Sequence, residues 1–454
     1  MNVLTPPLHR GMMELERSAF KKVISTLVIK VPTKKVGIFM KTFDEDLFNQ
    51  PRTRNVLPDP ESKETKLIIL RTDLEKIDDL PEEKIDMIKE QGLSTFKHEI
   101  EFDYNFWTTE QILHAVMPED AQDIPSSFTQ IGHIAHMNLR ESYYPWKKLI
   151  AQVILDKNKN ITTVVNKVDS IDTTFRFFKM EVLAGEDNLI AEVKESGCKF
   201  KFDFSKVYWN SRLHTEHDRL VQLFKKNEYV CDVFAGVGPF ALPAAKKGAI
   251  VYANDLNPSS HEWMKENIKA NKIKSGIYPY NMDGREFIRQ AVKDLQATSK
   301  KEWKTFDHFV MNLPATAIDF LDTFRGLYHD QKHLYDTRAK LPMIHCHCFT
   351  KSTDAMQDIT ERVGTIMGGK PDPLKTTLHW VRNVAPKKDM YCISFPLSSE
   401  LAFAAPNKYN FKKKCSNPQT NPFFFFFYNN SDKRKIDQLS SSITSEPSKN
   451  PRTE

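Results

Sequence analysis

From Tyr229 onward, short apolar runs alternate with segments whose apolar residues recur at helical spacing. The runs predict strands at 229–234, 250–254, 277–280, 306–311, 342–349 and 391–395. Helices are predicted between them: one ends near Lys247 at Gly248, one is capped by Ser259 or Ser260, and one follows Asp283. Strands alternating with helices predict a parallel sheet with helices on both faces.

The chain before this region has a different pattern. A helix is predicted at 146–155, and strands are predicted at 162–168, 180–183, 189–193 and 200–204, the last from strict alternation of apolar and polar residues. We therefore predict a small N-terminal α/β domain at 1–123, an α+β middle module at 124–205 and a third, α/β domain at 206–398. Residues 399–454 show neither the helical spacing nor the strand alternation of apolar residues, which predicts a disordered low-complexity tail.

Composition narrows the class of protein. The 454 residues are 40% hydrophobic, which provides material for real cores and excludes a wholly disordered or fibrous chain. The apolar runs are far shorter than the roughly 18–20 residues of a membrane span, so no membrane association is predicted. The six cysteines form no CxxC pair, which is typical of a reduced intracellular protein. The first twenty residues do not have the pattern of a signal peptide.

Charge is informative locally rather than as a total. The net charge of +6 hints at a polyanionic partner, but residues 401–454 contribute nine basic and four acidic residues. Residues 140–226 hold sixteen basic and twelve acidic residues, whereas 61–123 hold seven and seventeen. The acidic block is most simply a solvated surface, and the basic region is the better candidate for contact with a nucleic acid.

A glycine-containing loop follows the first strand of the domain at 206–398. Gly236 and Gly238 would let the backbone pass close to a ligand, and Asp255 lies nineteen residues past Gly236, at the end of the second strand. Such an acid accepts hydrogen bonds from a ribose diol. An ordinary tight turn is the alternative for the glycines alone. Together, the glycines and the acid predict a nucleoside cofactor.

The glycine loop alone does not distinguish NAD from S-adenosylmethionine, since Ala241 completes a dinucleotide-type pattern. Two features favour S-adenosylmethionine. Asp283 follows the third strand, where it can accept from an adenine amino group, beside the backbone of Gly284. Asn312 and Pro314 end the fourth strand, where methyltransferases that act on nitrogen place a similar motif. The alternative for Asn312 is a strand-end turn residue.

The run His345-Cys346-His347-Cys348 suggests a metal site at first sight. In a strand, alternate residues face opposite sides of the sheet, so these four cannot converge on one ion. We therefore predict a packing role for them, and no metal site.

Several motifs resemble one family in order along the chain, over about 124–396. These are Asn138-Leu-Arg140, Tyr144-Pro145, Lys148-Leu-Ile150, Val165-Asn-Lys167, Phe175-Arg176, Met180-Glu-Val-Leu-Ala-Gly185, Lys206-Val-Tyr-Trp-Asn-Ser-Arg212, Glu216-His217, Asp232-Val-Phe-Ala-Gly-Val-Gly-Pro-Phe240 and Asn312-Leu-Pro314. Together they resemble the archaeal-eukaryotic tRNA (guanine-37-N1)-methyltransferases. Ser211 stands where many members have proline, and the tail has no counterpart.

The resemblance implies a class I methyltransferase (Rossmann-like) fold and methyl transfer from S-adenosylmethionine to N1 of guanosine 37, in the anticodon loop of tRNA. It implies that Glu216 is the general base and that Arg176 stabilises negative charge on O6. Burial near the guanine would give Glu216 a raised pKa. The target base would border Tyr208, Asn312 and Pro314. The implied cofactor positions, with the glycine loop of Gly236 and Gly238, are His217, Asp255, Leu256, Asp283, Gly284 and Asn312.

By the same resemblance we expect a monomer located in the mitochondrial matrix, nucleus and cytoplasm. Three alternatives stand beside this interpretation. The aminocarboxypropyl transferase of wybutosine synthesis uses the same cofactor and tRNA position. A catalytically silent RNA-binding homologue would not need the intact set of acidic residues. An NAD-dependent oxidoreductase would need a proton relay that the sequence does not offer.

Overall fold

The structure, a computed structural model, describes residues 4–168, 179–299 and 301–405. Its first sheet is antiparallel, with strand order β2-β3-β1-β4. The strands are β1 (Lys22–Pro32), β2 (Val56–Pro58), β3 (Thr65–Ile69) and β4 (Ser94–Phe102), and the helices are α1 (Val36–Thr42), α2 (Glu82–Glu90) and α3 (Thr109–Val116). Apolar residues on both faces of this sheet, such as Val28 and Ile29, are buried.

A second sheet has strand order β5-β6-β7-β8. It consists of β5 (Thr129–Ile131), β6 (Ile134–Met137), β7 (Thr163–Lys167) and β8 (Met180–Gly185), and helix α4 (Lys147–Lys157) packs against it. One hydrophobic core joins α4 to α3 and to one face of the first sheet, with Trp107 and Ile150 among its buried members. This core runs across the predicted domain boundary at 123/124, because α3 packs with α4.

The strands β9 (Ile190–Glu195) and β10 (Cys198–Asp203) form a separate hairpin. The sequence assigned them to the middle module, but the hairpin packs on helix α7 (Pro258–Ala270) of the catalytic domain. Asn267 Oδ1 on α7 accepts from the backbone N–H of Lys201 at 2.8 Å, and Asn271 bonds both the N–H and the carbonyl of Lys199. These bonds satisfy backbone groups on β10 that face no other strand, so the hairpin is joined to the catalytic domain as well as to the middle module, whose Ile131, Ile134 and Val165 share its core.

The catalytic domain is built on a seven-stranded sheet with strand order β13-β12-β11-β14-β15-β17-β16. The strands are β11 (Tyr229–Asp232), β12 (Ile250–Asn254), β13 (Ile277–Tyr280), β14 (His308–Met311), β15 (Met343–Thr350), β16 (Thr377–Ala385) and β17 (Lys388–Pro396). The remaining helices are α5 (His214–Leu223), α6 (Ala241–Lys246), α8 (Gly284–Ala297), α9 (Ala355–Met367) and α10 (Ser399–Ala402). Two large cores, one on each face, enclose this sheet.

Short 3-10 helices connect these elements. They comprise Arg17–Phe20, Thr33–Lys35, Asp44–Asp46, Ile77–Asp79, Glu141–Trp146, Ser211–Leu213, Ala317–Phe324 and His329–Leu334. The last two carry the chain from the end of β14 back to the start of β15, and Phe324 and Tyr328 within this stretch are completely buried.

The prediction of an all-parallel sheet is wrong at one edge. Strands β11 to β15 are parallel as predicted, but β17 runs antiparallel to both β15 and β16. The cause is a tight hairpin between β16 and β17, in which Lys387 adopts a positive φ of 57°. The sequence pattern did not predict β16, because its side chains are mostly exposed and carry no apolar run.

Two local predictions also need correction. The cap of α7 is Asn257 rather than Ser259 or Ser260: its Oδ1 accepts from the backbone N–H of Ser259 at 2.9 Å. The predicted disordered tail begins too early at 399, because α10 (Ser399–Ala402) packs into the sheet's core with Leu401 and Ala402 buried. Residues 406–454 lie outside the described residues.

Across the described ranges, no helix is both long and apolar enough to cross a membrane. The five described cysteines are buried and carry free thiols.

Candidate active site

The glycine loop closes the carboxyl end of β11. Gly236 and Gly238 have φ values of +55° and +98°, a region that side chains other than glycine rarely adopt. The Gly236 N–H donates to Asp255 Oδ2 at 2.9 Å, and Asp255 Oδ1 accepts from the N–H of Asn257 at 2.9 Å. The carboxylate of Asp255 therefore joins the end of β11 to the start of α7, and its remaining lone pairs can accept from a diol.

Two acidic side chains at this edge have raised pKa values. Burial raises the pKa of Asp255 to about 6, and its two backbone hydrogen bonds offset only part of that effect. Asp232, at the end of β11, is completely buried, and neither of its side-chain oxygens has a hydrogen-bond partner among the described residues. Burial first, and then the charge of Asp255, raise the pKa of Asp232 to about 8, although the charge of His347 favours the ionised form.

The neighbouring strand ends supply the other predicted cofactor positions. Asp283 is the N-cap of α8, with Oδ1 accepting from Arg285 N–H at 2.9 Å, which leaves Oδ2 to accept from a ligand. A Cβ on Gly284 would meet Phe234 Cε1 at 2.9 Å, so only glycine fits where α8 begins. Leu256 follows Asp255 with 47% of its surface exposed, an apolar face available to a flat ring.

His217 lies on helix α5 rather than at a strand end. It is buried on α5, where Nδ1 lies 2.5 Å from Glu195 Oε1 and the ring meets the edge of Phe240 at 4.7 Å between centroids. Phe240 ends the glycine loop, and this ring contact is what connects His217 to that loop.

The residues expected around the target base lie one strand further along the sheet. Asn312 follows β14 directly, and its Oδ1 is buried without a partner among the described residues. The carbonyl of Pro314 accepts from the N–H of Phe349 at 3.2 Å, which fixes the Asn312–Pro314 turn against β15. Tyr208 is 45% exposed, and its hydroxyl accepts from Asn210 Nδ2 at 3.3 Å. Arg176 lies outside the described residues.

Glu216 is held by two cationic side chains. It lies in the first turn of α5 and is almost fully buried. Arg219, one helical turn later, donates from Nε to Oε2 at 2.7 Å and from a terminal nitrogen to Oε1 at 2.8 Å. His347 on β15 donates from Nε2 to Oε1 at 2.7 Å. His379 on β16 lies nearby, with Nε2 3.6 Å from Oε2.

The expected rise in the pKa of Glu216 is wrong. Burial alone would raise it, but the hydrogen bonds and charges of Arg219 and His347 outweigh burial and lower the pKa to about 2. The pKa of His347 is shifted the other way. Burial lowers it, but Cys392 and Glu216 together outweigh burial and raise it to about 10. The described site therefore brings a carboxylate, a guanidinium and the Nε2 of an imidazole into contact.

The His345–Cys348 run alternates between faces, as a strand requires. Cys346 and Cys348 pack in one core, whereas His347 turns to Glu216 on the other face. His347, Glu216 and Cys392 bring potential metal-ligand atoms within 4.8 Å of one another, but Arg219 already occupies the same carboxylate as a positive charge. The packing role predicted for His347 therefore omits its main contact, which is with the predicted general base.

Sequence reasoning missed three residues of this cluster. Arg219 had a usable signal, because it stands three residues after Glu216 on a helix. His347 and His379 had none, since their approach to Glu216 depends on the order of β15, β17 and β16 in the sheet.

A nucleoside cofactor fits these residues. The glycine loop, the Asp255 and Asp283 carboxylates and the exposed face of Leu256 lie at successive strand ends, and Asp232 and Asn312 have buried oxygens without partners. A parallel sheet that carries such a loop after its first strand, and acidic residues after the next two, has the architecture of the Rossmann-like class I methyltransferases.

Comparison with known proteins agrees with this class. The pattern of the TRM5/TYW2 methyltransferase domain matches residues 191–355, and that of the TYW2 N-terminal domain matches 109–188. The tRNA (guanine(37)-N(1))-methyltransferase of Batrachochytrium dendrobatidis is 45% identical, covering 89% of this chain and 92% of its own. That of Schizosaccharomyces pombe is 44% identical, covering 86% and 95%. The chain therefore belongs to the tRNA (guanine(37)-N(1))-methyltransferase family.

A solved structure supports the same assignment. The crystal structure of wild-type Trm5b from Pyrococcus abyssi superimposes with a TM-score of 0.57 at 25% identity, covering 82% of this chain and 99% of that one.

Proposed function

We propose that the protein transfers the methyl group of S-adenosylmethionine to N1 of guanosine 37 of tRNA. The observation that carries the proposal is the position of the buried Glu216 carboxylate. It is hydrogen-bonded to His347 on β15, and β15 pairs with β14, the strand that Asn312 follows. In a member of this family, that position places a proton acceptor near the carboxyl ends of the parallel strands, where the predicted cofactor residues lie.

The cofactor would be held by the loop at Gly236 and Gly238, by Asp255 and Asp283, and against Leu256. When bound there, S-adenosylmethionine supplies an electrophilic methyl group. The protein's own contribution at this edge is to orient a ligand with a loop and two carboxylates that are already fixed by hydrogen bonds within the fold.

Asn312 and Pro314 would position the guanine. Asn312 Oδ1 lacks a partner in the described residues and can accept from a base amino group, while the turn is fixed by the bond from Phe349 N–H to the Pro314 carbonyl. Tyr208 is half-exposed and lies a few residues before α5 in the chain. Its ring offers a surface on which a flipped base can stack. Arg176, by family resemblance, would donate to O6 as negative charge develops there.

Glu216 would accept the N1 proton. Guanine N1 is a poor nucleophile until that proton leaves, so a nearby base is required. With a pKa of about 2, the carboxylate is ionised at neutral pH but is a weak base for this proton. The same low pKa means that a proton cannot remain on Glu216, and it must pass on promptly.

The test uses the purified full chain, S-adenosylmethionine and two tRNA transcripts that differ only at position 37, with G or A. We expect N1-methylguanosine from the G37 transcript and no methylated product from the A37 transcript, as read by nucleoside mass spectrometry. Equal methylation of both would contradict the position-37 assignment. An aminocarboxypropyl nucleoside would instead support the wybutosine-type reaction, which the match of 109–188 to the TYW2 N-terminal domain makes the second candidate.

Two further expectations belong to this proposal. We propose that the protein acts as a monomer, which light scattering of the purified chain with and without tRNA would check. We also retain the prediction that it is located in mitochondria, nucleus and cytoplasm, which imaging of the tagged full chain would check.

A further inference from the structure

We infer that His379 carries the proton received by Glu216 out to solvent. This inference rests on the proposed function, in which guanine N1 gives up one proton for each methyl group it gains. The O–H bond formed at Glu216 would break as an N–H bond forms at His379 Nε2, and His379 would then release the proton to water. Neither the carboxylate nor the imidazole is consumed.

Exposure singles out His379 among the groups around the carboxylate. The Glu216 side chain is 2% exposed and that of His347 is 0% exposed, so neither meets bulk water. His379 stands on β16, the edge strand of the sheet, with 46% of its side chain exposed. It therefore touches both the buried carboxylate and the solvent.

Proton-accepting capacity singles out the same residue. Arg219 is always protonated in proteins, so it cannot accept a proton from Glu216. His347 has a pKa of about 10 and already carries its proton at neutral pH. His379 is the contacting side chain that is neutral, because burial and then the charge of Arg219 lower its pKa from 6.5.

The charged and titratable groups that face His379 come from three elements. Glu216 and Arg219 lie on α5, His347 lies on β15, and Cys392 is the registered partner of His379 on β17. Glu216 favours the protonated imidazole, whereas Arg219 and His347 oppose it. This balance suits a relay, because His379 can take up a proton beside the carboxylate and then give it up.

The distance from Glu216 Oε2 to His379 Nε2, 3.6 Å, is slightly longer than a hydrogen bond. One bridging water or a small rotation of the half-exposed ring would complete the contact, and catalytic hydrogen bonds often tighten only when substrate binds.

The test compares wild type, His379→Gln and the matched control His333→Gln in single-turnover methyl transfer to the G37 transcript at saturating tRNA and S-adenosylmethionine. His333 is an exposed histidine in a 3-10 helix away from this cluster. We expect His379→Gln to slow transfer by roughly tenfold or more, with tRNA and cofactor affinities unchanged. The wild-type rate should fall as pH drops through the pKa of His379, this acidic limb should vanish in the variant, and added imidazole should restore part of the rate.

Three outcomes would overturn the inference. The first is a His379→Gln variant that matches wild type in rate and pH profile. The second is a variant that loses only tRNA affinity while keeping its rate at saturation, which would make His379 an RNA contact. The third is a variant that is slow but unresponsive to imidazole with an unchanged pH profile, which would indicate a structural effect. If wild type itself gave no methylated G37, the proposed function would fail instead, so the two failures are distinguishable.

Discussion

His347 Nε2 donates to Glu216 Oε1 at 2.7 Å, and this ion pair is almost completely enclosed between α5 and β15. An isolated charge at either position would be strongly disfavoured, so each residue keeps the other ionised. Arg219 adds a second cation to the same carboxylate. A site arranged in this way keeps its proton acceptor deprotonated over the whole physiological pH range.

We expect Glu216→Gln to lower the single-turnover rate of methyl transfer by about a hundredfold, because the amide keeps the size of the side chain but has one acceptor oxygen instead of two and cannot take a proton. The affinity for S-adenosylmethionine should stay within about twofold of wild type, since Glu216 lies outside the glycine loop. Asp218→Asn, an exposed acid on the same helix, is the control and should leave the rate unchanged. A normal rate with collapsed cofactor binding would show that the role of Glu216 is misassigned.

The ion pair also predicts acid sensitivity. The folded-state pKa of Glu216, about 2, lies below its ordinary value of 4.5, so its stabilisation is complete above pH 4.5 and is lost as pH falls toward 2. The free energy of unfolding should decline over that window by an amount on the order of 3 kcal/mol from this group. Denaturant titrations across pH should show a shallower decline for Glu216→Gln. Parallel curves for the two proteins would contradict the prediction.

Asp232 predicts the opposite dependence. Its folded-state pKa of about 8 lies above the ordinary 3.8, so the folded protein retains a proton that the unfolded chain releases, and stability falls as pH rises from 3.8 to 8. One such group contributes a slope of up to about 1.4 kcal/mol per pH unit. Asp232→Asn, which cannot ionise, should be flatter in this range and relatively more stable at pH 8 than at pH 5. Thermal denaturation at both pH values measures this, and an equal difference at the two would contradict it.

The Asp255 carboxylate should contribute both to cofactor binding and to the conformation of the glycine loop. Asp255→Ala removes the acceptor for the Gly236 and Asn257 amides as well as a partner for a ribose diol. We expect the affinity for S-adenosylmethionine to fall by roughly ten- to a hundredfold, in line with the loss of charge-assisted hydrogen bonds. Isothermal titration calorimetry is the measurement, and Glu286→Gln, an exposed acid on α8, is the control. An unchanged affinity would exclude Asp255 from the cofactor site.

The sequence predicted the parallel part of the sheet because local patterns determine it. The predicted strands at 229–234, 250–254 and 277–280 end within two residues of the observed strand ends at Asp232, Asn254 and Tyr280, and Asp255 and Asp283 follow those ends as expected. These features depend on residues close together in the chain, where hydrophobic periodicity and capping act.

The arrangement around Glu216 could not be read in the same way. It requires a helix that lies more than a hundred residues before an inner strand and an edge strand, and the edge strand, β16, has too few buried side chains to be recognised. The sign of the Glu216 pKa shift followed from those long-range contacts. Burial was foreseeable, but the two cations that outweigh it were not.

Asp255 makes the loop and the start of α7 parts of one rigid frame through two backbone hydrogen bonds. The conformational entropy of that loop is therefore lost when the chain folds, not when a ligand arrives. A nucleoside therefore binds to a loop that is already in its final conformation. The residence time of the nucleoside should depend on the contacts it makes rather than on the reopening of a closed loop.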